Sequence, residues 1–192
     1  MRALILNGSG EADALTGGIG RTLTRMLGDN GWEVTAFILP GMDIAYCHGC
    51  FNCWVKTPGI CVIDDAGRDL TRAAAQADLM VFLTPVTFGG YGSALKRAVD
   101  RLIPNLLPYF TRVHGEVHHK FRYRQPSKML AVGTMDVADS ETADIFRLLH
   151  KRNSINYSSP LHDARVFVAG TPEVAIEQEL VGVLVELECV TT

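Results

Sequence analysis

Leu79-Met80-Val81-Phe82-Leu83-Thr84-Pro85-Val86-Thr87-Phe88-Gly89-Gly90-Tyr91-Gly92 is the stretch whose reading decides the fold. Its first five residues are apolar without a break. A strand with one face in water alternates apolar and polar residues. A strand covered on both faces does not, and such strands belong to parallel sheets flanked by helices. The glycines that follow mark a loop. Beyond them, Ser93–Ile103 places Leu95, Ala98, Val99 and Leu102 on one helical face. Lys96 and Asp100, four apart, can pair on the outer face.

The same strand–loop–helix unit recurs in both directions. Toward the N-terminus, Ala3–Leu6 is a short apolar run ending in a Gly/Ser loop. Ile19–Leu27 then sets Ile19, Leu23, Met26 and Leu27 on one face, with Gly28 and Gly31 after it. Val34–Leu39 reads as a second strand closed by Pro40-Gly41, and Asp65–Ala77 as a helix. Toward the C-terminus come a strand at Met129–Val132, a helix at Ser140–Lys151 and a strand at Arg165–Val168. A last helix, Glu173–Glu188, is opened by Pro172. Five strands, each followed by a helix, predict a doubly wound parallel α/β sheet in one domain spanning residues 1–192. Pro104 to Lys128 breaks the pattern. It reads as a long irregular excursion, rich in His, Arg and aromatics, over the face where ligands bind.

Composition narrows the function classes. Hydrophobic residues at 47% and charged residues at 20% are globular values. A net charge of −3 gives no electrostatic reason for a nucleic-acid or membrane-surface partner. No apolar run reaches the roughly 20 residues of a membrane helix. The apolar N-terminal run stops at Asn7-Gly8, too early for a signal peptide. The expectation is a cytoplasmic protein, where clustered cysteines serve as ligands or redox groups rather than disulfides.

Ligands of such sheets bind at the carboxyl ends of the strands. Three loops there carry chemistry. Asn7-Gly8-Ser9-Gly10 runs to Thr16-Gly17-Gly18 at a helix start, where unpaired N–H groups and the helix dipole favour a phosphate. The bland reading is a turn with spare glycines. The chain lacks G-x-G-x-x-G in the dinucleotide position, and it lacks a GKS or GKT, so a triphosphate site is not expected. In the second loop, glycines allow a flat ligand to come close, and Phe88 or Tyr91 could stack on it or plug the core. The third element follows the second strand. Cys47, Cys50, Cys53 and Cys61 form C-x2-C-x2-C-x7-C. Four thiolates in this compact spacing can hold a [4Fe–4S] cluster, a structural zinc, or no metal at all. His48 and Trp54 would shield such a centre. Cys189 reads as a lone packed thiol. His114, Glu116, His118 and His119 could bind a divalent ion or lie on a solvated or subunit-facing loop. Lys120, Arg122 and Arg124 beside them could meet a nicotinamide dinucleotide phosphate or a partner subunit.

The NGS loop, the TPV-x-x-G loop and the LK-x3-DR that follows it resemble the flavodoxin-like NAD(P)H-dependent FMN reductases. The four-cysteine motif after strand two is similar to their iron–sulfur flavoprotein branch. The resemblance covers residues 1–135 well and the C-terminal third in pattern only. It implies a five-stranded sheet of order 2-1-3-4-5 in a three-layer sandwich. It implies FMN with its phosphate at Ser9, Thr16, Gly17 and Gly18. The isoalloxazine would lie on Pro85, Val86, Thr87, Phe88, Gly89 and Gly90, with Gly133, Thr134 and Met135 closing the third side. The first loop departs from the family's short NGSPR form, being longer and carrying acidic Glu11 and Asp13. The implied activity is FMN-dependent oxidoreduction. Electrons would come from NAD(P)H or a ferredoxin-like donor and pass to a small-molecule or small redox-protein acceptor, with a [4Fe–4S] relay on the four cysteines. Hydride transfer to a flavin needs no side-chain acid or base, so no catalytic residue is expected. The alternative is a non-enzymatic flavin carrier or regulatory module clipped by the cysteines. Tyr109, Phe110, Phe121 and Tyr123 suggest a homodimer or homotetramer.

Overall fold

The computed structural model describes residues 1–10, 12–113, 115–123 and 125–190. Glu11, His114 and Arg124 therefore lie outside the described residues. Five parallel strands form the main sheet. They are β1 (Arg2–Asn7), β2 (Glu33–Ile38), β3 (Leu79–Thr87), β7 (Lys128–Met135) and β8 (His162–Val168). Their order is β2-β1-β3-β7-β8, the 2-1-3-4-5 order that was expected. A short strand β4 (Gly90–Tyr91) folds back antiparallel onto the end of β3.

Burial follows the pleat. Leu79, Val81 and Leu83 of β3 face one core, shared with Ile19, Leu23 and Leu27 of helix α1 (Ala14–Asp29) and Ile176, Leu180 and Leu184 of α6 (Glu173–Glu186). Met80 and Phe82 face the other. There they meet Leu70 of α3 (Ala66–Gln76), Leu95 and Ala98 of α4 (Ser93–Asp100) and Phe146 of α5 (Ser140–Asn156). Each fully buried Leu, Ile or Phe stabilises by about 1.5–3 kcal/mol, so both layers hold the sheet. The unbroken apolar run of β3 is thus the imprint of two helical layers. Three helices start on an aspartate: Asp13, Asp65 and Asp139 accept hydrogen bonds from the first-turn N–H groups of α1, α3 and α5.

The excursion after α4 is ordered, which corrects the irregular reading. A 3-10 turn at Ile103–Asn105 leads into an antiparallel hairpin of β5 (Leu106–Val113) and β6 (Glu116–Phe121), separate from the main sheet. Its register shifts between Leu106 and Phe110. Pro108 lies in that interval and has no N–H to give the ladder. Exposed aromatics and this proline hid the strand alternation in the sequence.

A strand-end crevice and a four-thiol pocket

At the carboxyl ends of β1, β3, β7 and β8 a crevice of about 480 Å³ opens. Ala14, Leu15, Pro85, Val86, Met135 and Ala169 give it apolar walls, and Asp13, Thr134 and Asp136 supply its polar groups. The expected residues Pro85, Val86, Thr134 and Met135 therefore come together here. Gly133 lies just inside, paired in register with Thr84 of β3. Buried Thr16 and Thr134 share a hydrogen bond of 2.6 Å between their hydroxyls, tying the first turn of α1 to the end of β7.

The phosphate end differs from the expectation in detail. The Asp13 carboxylate accepts from the Thr16 N–H at 2.9 Å and from the Thr16 hydroxyl. A carboxylate thus already occupies the anion seat at the start of α1. Ser9 is buried, and both its N–H and its hydroxyl donate to Asn7 Oδ1, at 2.9 and 2.6 Å. Ser9 and Gly17 line a second groove of about 530 Å³ on the β2 side, with Arg21 and Ile38. Gly18 lies within α1.

The second half of the β3 loop turns away from the crevice wall. Phe88 and Gly89 form a two-residue hairpin turn with φ of 50° and 72°. Positive φ at both positions is the turn that suits the strand twist. Gly89 cannot be replaced cheaply, because a Cβ there would meet Ile145 of α5 at 2.5 Å. Phe88 stands wholly exposed at the tip. A bulky residue in the left-handed region is strained, and such strain concentrates at functional loops. Thr87 and Gly90 pair across this turn. Tyr91 beneath it is buried, and its hydroxyl meets His150 Nδ1 at 3.2 Å and accepts from Asn153 Nδ2 at 3.2 Å. Burial pushes His150 down to about 4, so it stays neutral in this network.

The four cysteines converge on one pocket. Cys47, Cys50, Cys53 and Cys61 line it together with His48, Phe51, Arg101, Ile103 and Pro104. All four thiols are free. Burial raises the Cys53 thiol above its ordinary value, and neighbouring Cys61, Cys47 and Cys50 add to the rise. The void is about 20 Å³, room for little more than a water. Among the described residues no three His, Cys, Asp or Glu side chains close on a single ion site. The donor set suits an iron–sulfur core, whose irons hold the thiolates apart. Seating one requires the outer wall to move. That wall contains Gly49 and Phe51, both at positive φ, and an exposed Cys50.

Aromatic rings join this loop to the hairpin. Trp54, on the short helix α2 (Asn52–Val55), lies 4.9 Å from Phe51 and 4.8 Å from His119 between ring centres, and His119 lies 4.6 Å from Phe110. The histidine-rich segment is used structurally. Glu116 pairs with Arg152 of α5, His118 Nδ1 lies 2.8 Å from Asn156 Oδ1, and His119 Nδ1 lies 2.9 Å from the Leu107 carbonyl. Arg122 donates to the Pro104 and Leu106 carbonyls. Cys189 is buried at the far end with its thiol pushed up to about 11 by burial, in keeping with a packed thiol.

The family model for NADPH-dependent FMN reductases matches residues 1–125. The chain belongs to that family. FMN-dependent oxidoreduction is the family's chemistry. Two curated relatives are named iron–sulfur flavoproteins. One, from Archaeoglobus fulgidus, is 31% identical over 78 residues, covering 41% of this chain and 34% of the relative. The other, from Methanocaldococcus jannaschii, is 28% identical over 104 residues, covering 54% of this chain and 53% of the relative. The chain thus aligns with about a third and about half of their lengths. An NAD(P)H:quinone oxidoreductase from Methanothermobacter marburgensis shares the fold with a TM-score of 0.67 at 11% identity, covering 93% of this chain and 90% of that one.

Three functional features escaped the sequence reading. Asp13 as a helix cap was legible in its spacing of three from Thr16. Asp136 and Ala169 reach the crevice only because β7 and β8 lie side by side. Arg101 was part of the LK-x3-DR motif, but nothing local tied it to the thiol pocket.

Proposed function

We propose that the chain is an FMN-dependent oxidoreductase that takes electrons from NAD(P)H or a ferredoxin-like donor and passes them to a small-molecule or small redox-protein acceptor. The crevice bounded by Leu15, Pro85, Val86, Thr134 and Met135 carries this reading. Its apolar walls suit a flat ring system and its polar end suits a ribityl chain. Bound FMN supplies hydride acceptance and electron release. The chain's own part is to bind and orient. Pro85 and Val86 offer an unreactive wall, and the Thr16–Thr134 bond fixes the spacing of α1 and β7. The phosphate would lie at the α1 start near Ser9, Thr16, Gly17 and Gly18 once the Asp13 side chain has swung out. The ring would run along Pro85, Val86 and Gly133–Met135, with the Thr87–Gly90 turn beside it rather than beneath it.

Four thiols around one pocket and relatives named iron–sulfur flavoproteins support a [4Fe–4S] cluster on Cys47, Cys50, Cys53 and Cys61. Residues 1–192 would act as one FMN-binding domain in the cytoplasm, where such thiols stay reduced. Among the described residues no helix is long and apolar enough to cross a membrane. Exposed Tyr109, Phe110 and Val117 on the hairpin support a homodimer or homotetramer. Phe121 is partly buried against the main core, so Phe110→Asp is the cleaner probe of assembly.

Purification without air, followed by a visible spectrum and steady-state turnover with NADPH and NADH, tests the proposal. Flavin absorption with turnover is expected, with about four irons per chain after anaerobic reconstitution. Stoichiometric flavin without turnover would move the reading to an electron carrier. Absence of flavin after reconstitution would overturn it.

A further inference from the structure

The pocket's fifth polar group is a cation. Arg101 ends α4, is 1% exposed, and lines the void with all four cysteines. Its two terminal nitrogens donate to both oxygens of Asp65 at 2.7 Å each, and the Asp65 side chain is 5% exposed. This pair touches both ends of the cysteine segment. On the entering side, Arg101 Nη1 donates to the Ala45 carbonyl at 2.8 Å, and the Ala45 N–H donates to Asp65 Oδ2 at 2.8 Å. On the leaving side, Arg101 Nη2 reaches the Ile63 carbonyl at 3.5 Å. Asp65 Oδ1 also caps α3 through the Gly67 N–H. Gly67 is the residue that lets the guanidinium in, since a Cβ there would sit 2.8 Å from Arg101 Cζ. Arg101 Nε is buried with no partner among the described residues. An orphaned donor on a buried cation costs free energy unless something anionic completes it.

We propose that Arg101 is the positioning residue of the four-cysteine site. With Asp65 it pins residues 45 and 63, leaving the Cys47–Cys53 tip free to open, and it turns the positive end of a buried ion pair toward the thiolates. The proposal rests on the cysteines being cluster ligands. Four thiolates around an iron–sulfur core are net negative, so a buried cation in the wall favours the occupied site and its reduced state. A lysine would keep the charge but lose the two-pronged grip on Asp65.

Wild type, Arg101→Met and Arg101→Lys are reconstituted anaerobically with iron and sulfide. Iron per chain, the rate of iron loss to a chelator, and the cluster's midpoint potential are then read. Arg101→Met should lose iron at least tenfold faster, and any remaining cluster should reduce at a more negative potential. Arg101→Lys should restore the potential while still losing iron faster than wild type. An Arg101→Met protein with wild-type retention and potential would overturn the proposal. Faster loss at unchanged potential would overturn the charge role. Should Arg101→Met not fold, Gly67→Ala keeps the charge but displaces the guanidinium, and it should speed iron loss likewise. Should wild type take up no iron, the cluster reading fails, and hydrogen exchange of the metal-free protein decides the pinning. Faster exchange confined to residues 45–63 in Arg101→Lys supports it, and unchanged exchange overturns it.

Discussion

Replacing Asp13 with serine should tighten FMN binding while leaving riboflavin binding alone. Asp13 accepts from the N–H and hydroxyl of Thr16 at the start of α1, the position at which a helix dipole would favour a phosphate. The carboxylate and a phosphate cannot share that seat. Two unit charges about 4 Å apart at an effective dielectric near 20 interact by about 4 kcal/mol. Asp13 is only partly buried and its side chain can swing into water, which cuts the repulsion to roughly 1–2 kcal/mol. Removing it therefore strengthens FMN by about tenfold, since 1.4 kcal/mol is a factor of ten. Serine caps helices about as well as aspartate, so the melting temperature should hold. Asp13→Ala should cost about 1 kcal/mol and lower it by a few degrees. Flavin fluorescence titrations of wild type and Asp13→Ser, with FMN and riboflavin at low and high salt, separate the effects. The FMN gain should shrink as salt rises. Equal strengthening of both flavins would refute the argument, because riboflavin has no phosphate to repel. Weaker FMN in Asp13→Ser would show that the carboxylate holds the site's shape rather than blocking it.

Other perturbations follow from the same geometry. Asp65→Asn leaves Arg101 buried and uncompensated and should cost about 3–5 kcal/mol in a urea melt. Burial alone would raise Asp65, but Arg101 and the N–H groups of Ala45 and Gly67 hold it below the usual carboxylate range. Its contribution is therefore complete above the unfolded value near about 3.9 and is lost as pH falls through the lower folded value. Acid titration of wild type followed by hydrogen exchange at residues 45–63 should find this segment loosening there. His150 carries the same sign at higher pH. Burial lowers it to about 4, so stability should fall from pH 6.5 toward 4 by on the order of 3 kcal/mol, to which the more exposed His162, shifted the same way, adds little. His150→Gln should flatten that dependence in melts across this range. Gly89→Ala places a methyl against Ile145 and should destabilise by more than 1 kcal/mol, read as a lower Tm.

How far the sequence can be read depends on whether the causes are local. The central strands β1, β3 and β7 were legible because burial on both faces writes itself as unbroken apolar runs, of which Leu79–Leu83 is the clearest, while the edge strands β2 and β8 were placed by their spacing between helices. Strand order followed from connection rules and from the resemblance, and Pro85, Val86, Thr134 and Met135 lie together at the strand ends. The β5–β6 hairpin was missed because its strands pack on side elements rather than a core. Exposed Tyr109 and Phe110 and the ladder break at Pro108 erase their alternation. At the phosphate seat the opposite happened: the longer loop was noticed, but its acidic residues were read as a complication rather than as a cap.

The thiol pocket gives the sharper case. Its cysteines lie within fifteen residues and could be found by spacing alone, yet the group that organises them sits forty residues further on at the end of another helix. The Asp100-Arg101 pair was noticed as part of LK-x3-DR, but nothing in it points to the cysteines until the chain folds and the guanidinium enters the space left by Gly67. Burying a charged pair is expensive, and replacing it with apolar residues is often neutral or stabilising. Retaining it here makes physical sense if the segment it pins must keep its ends fixed while its tip opens, because an apolar plug would supply packing without the hydrogen bonds to Ala45 and Ile63. An Asp65→Leu, Arg101→Met double variant separates these roles. It should melt well above Asp65→Asn, below wild type by little more than the lost α3 cap of about 1 kcal/mol, and it should still fail to retain iron.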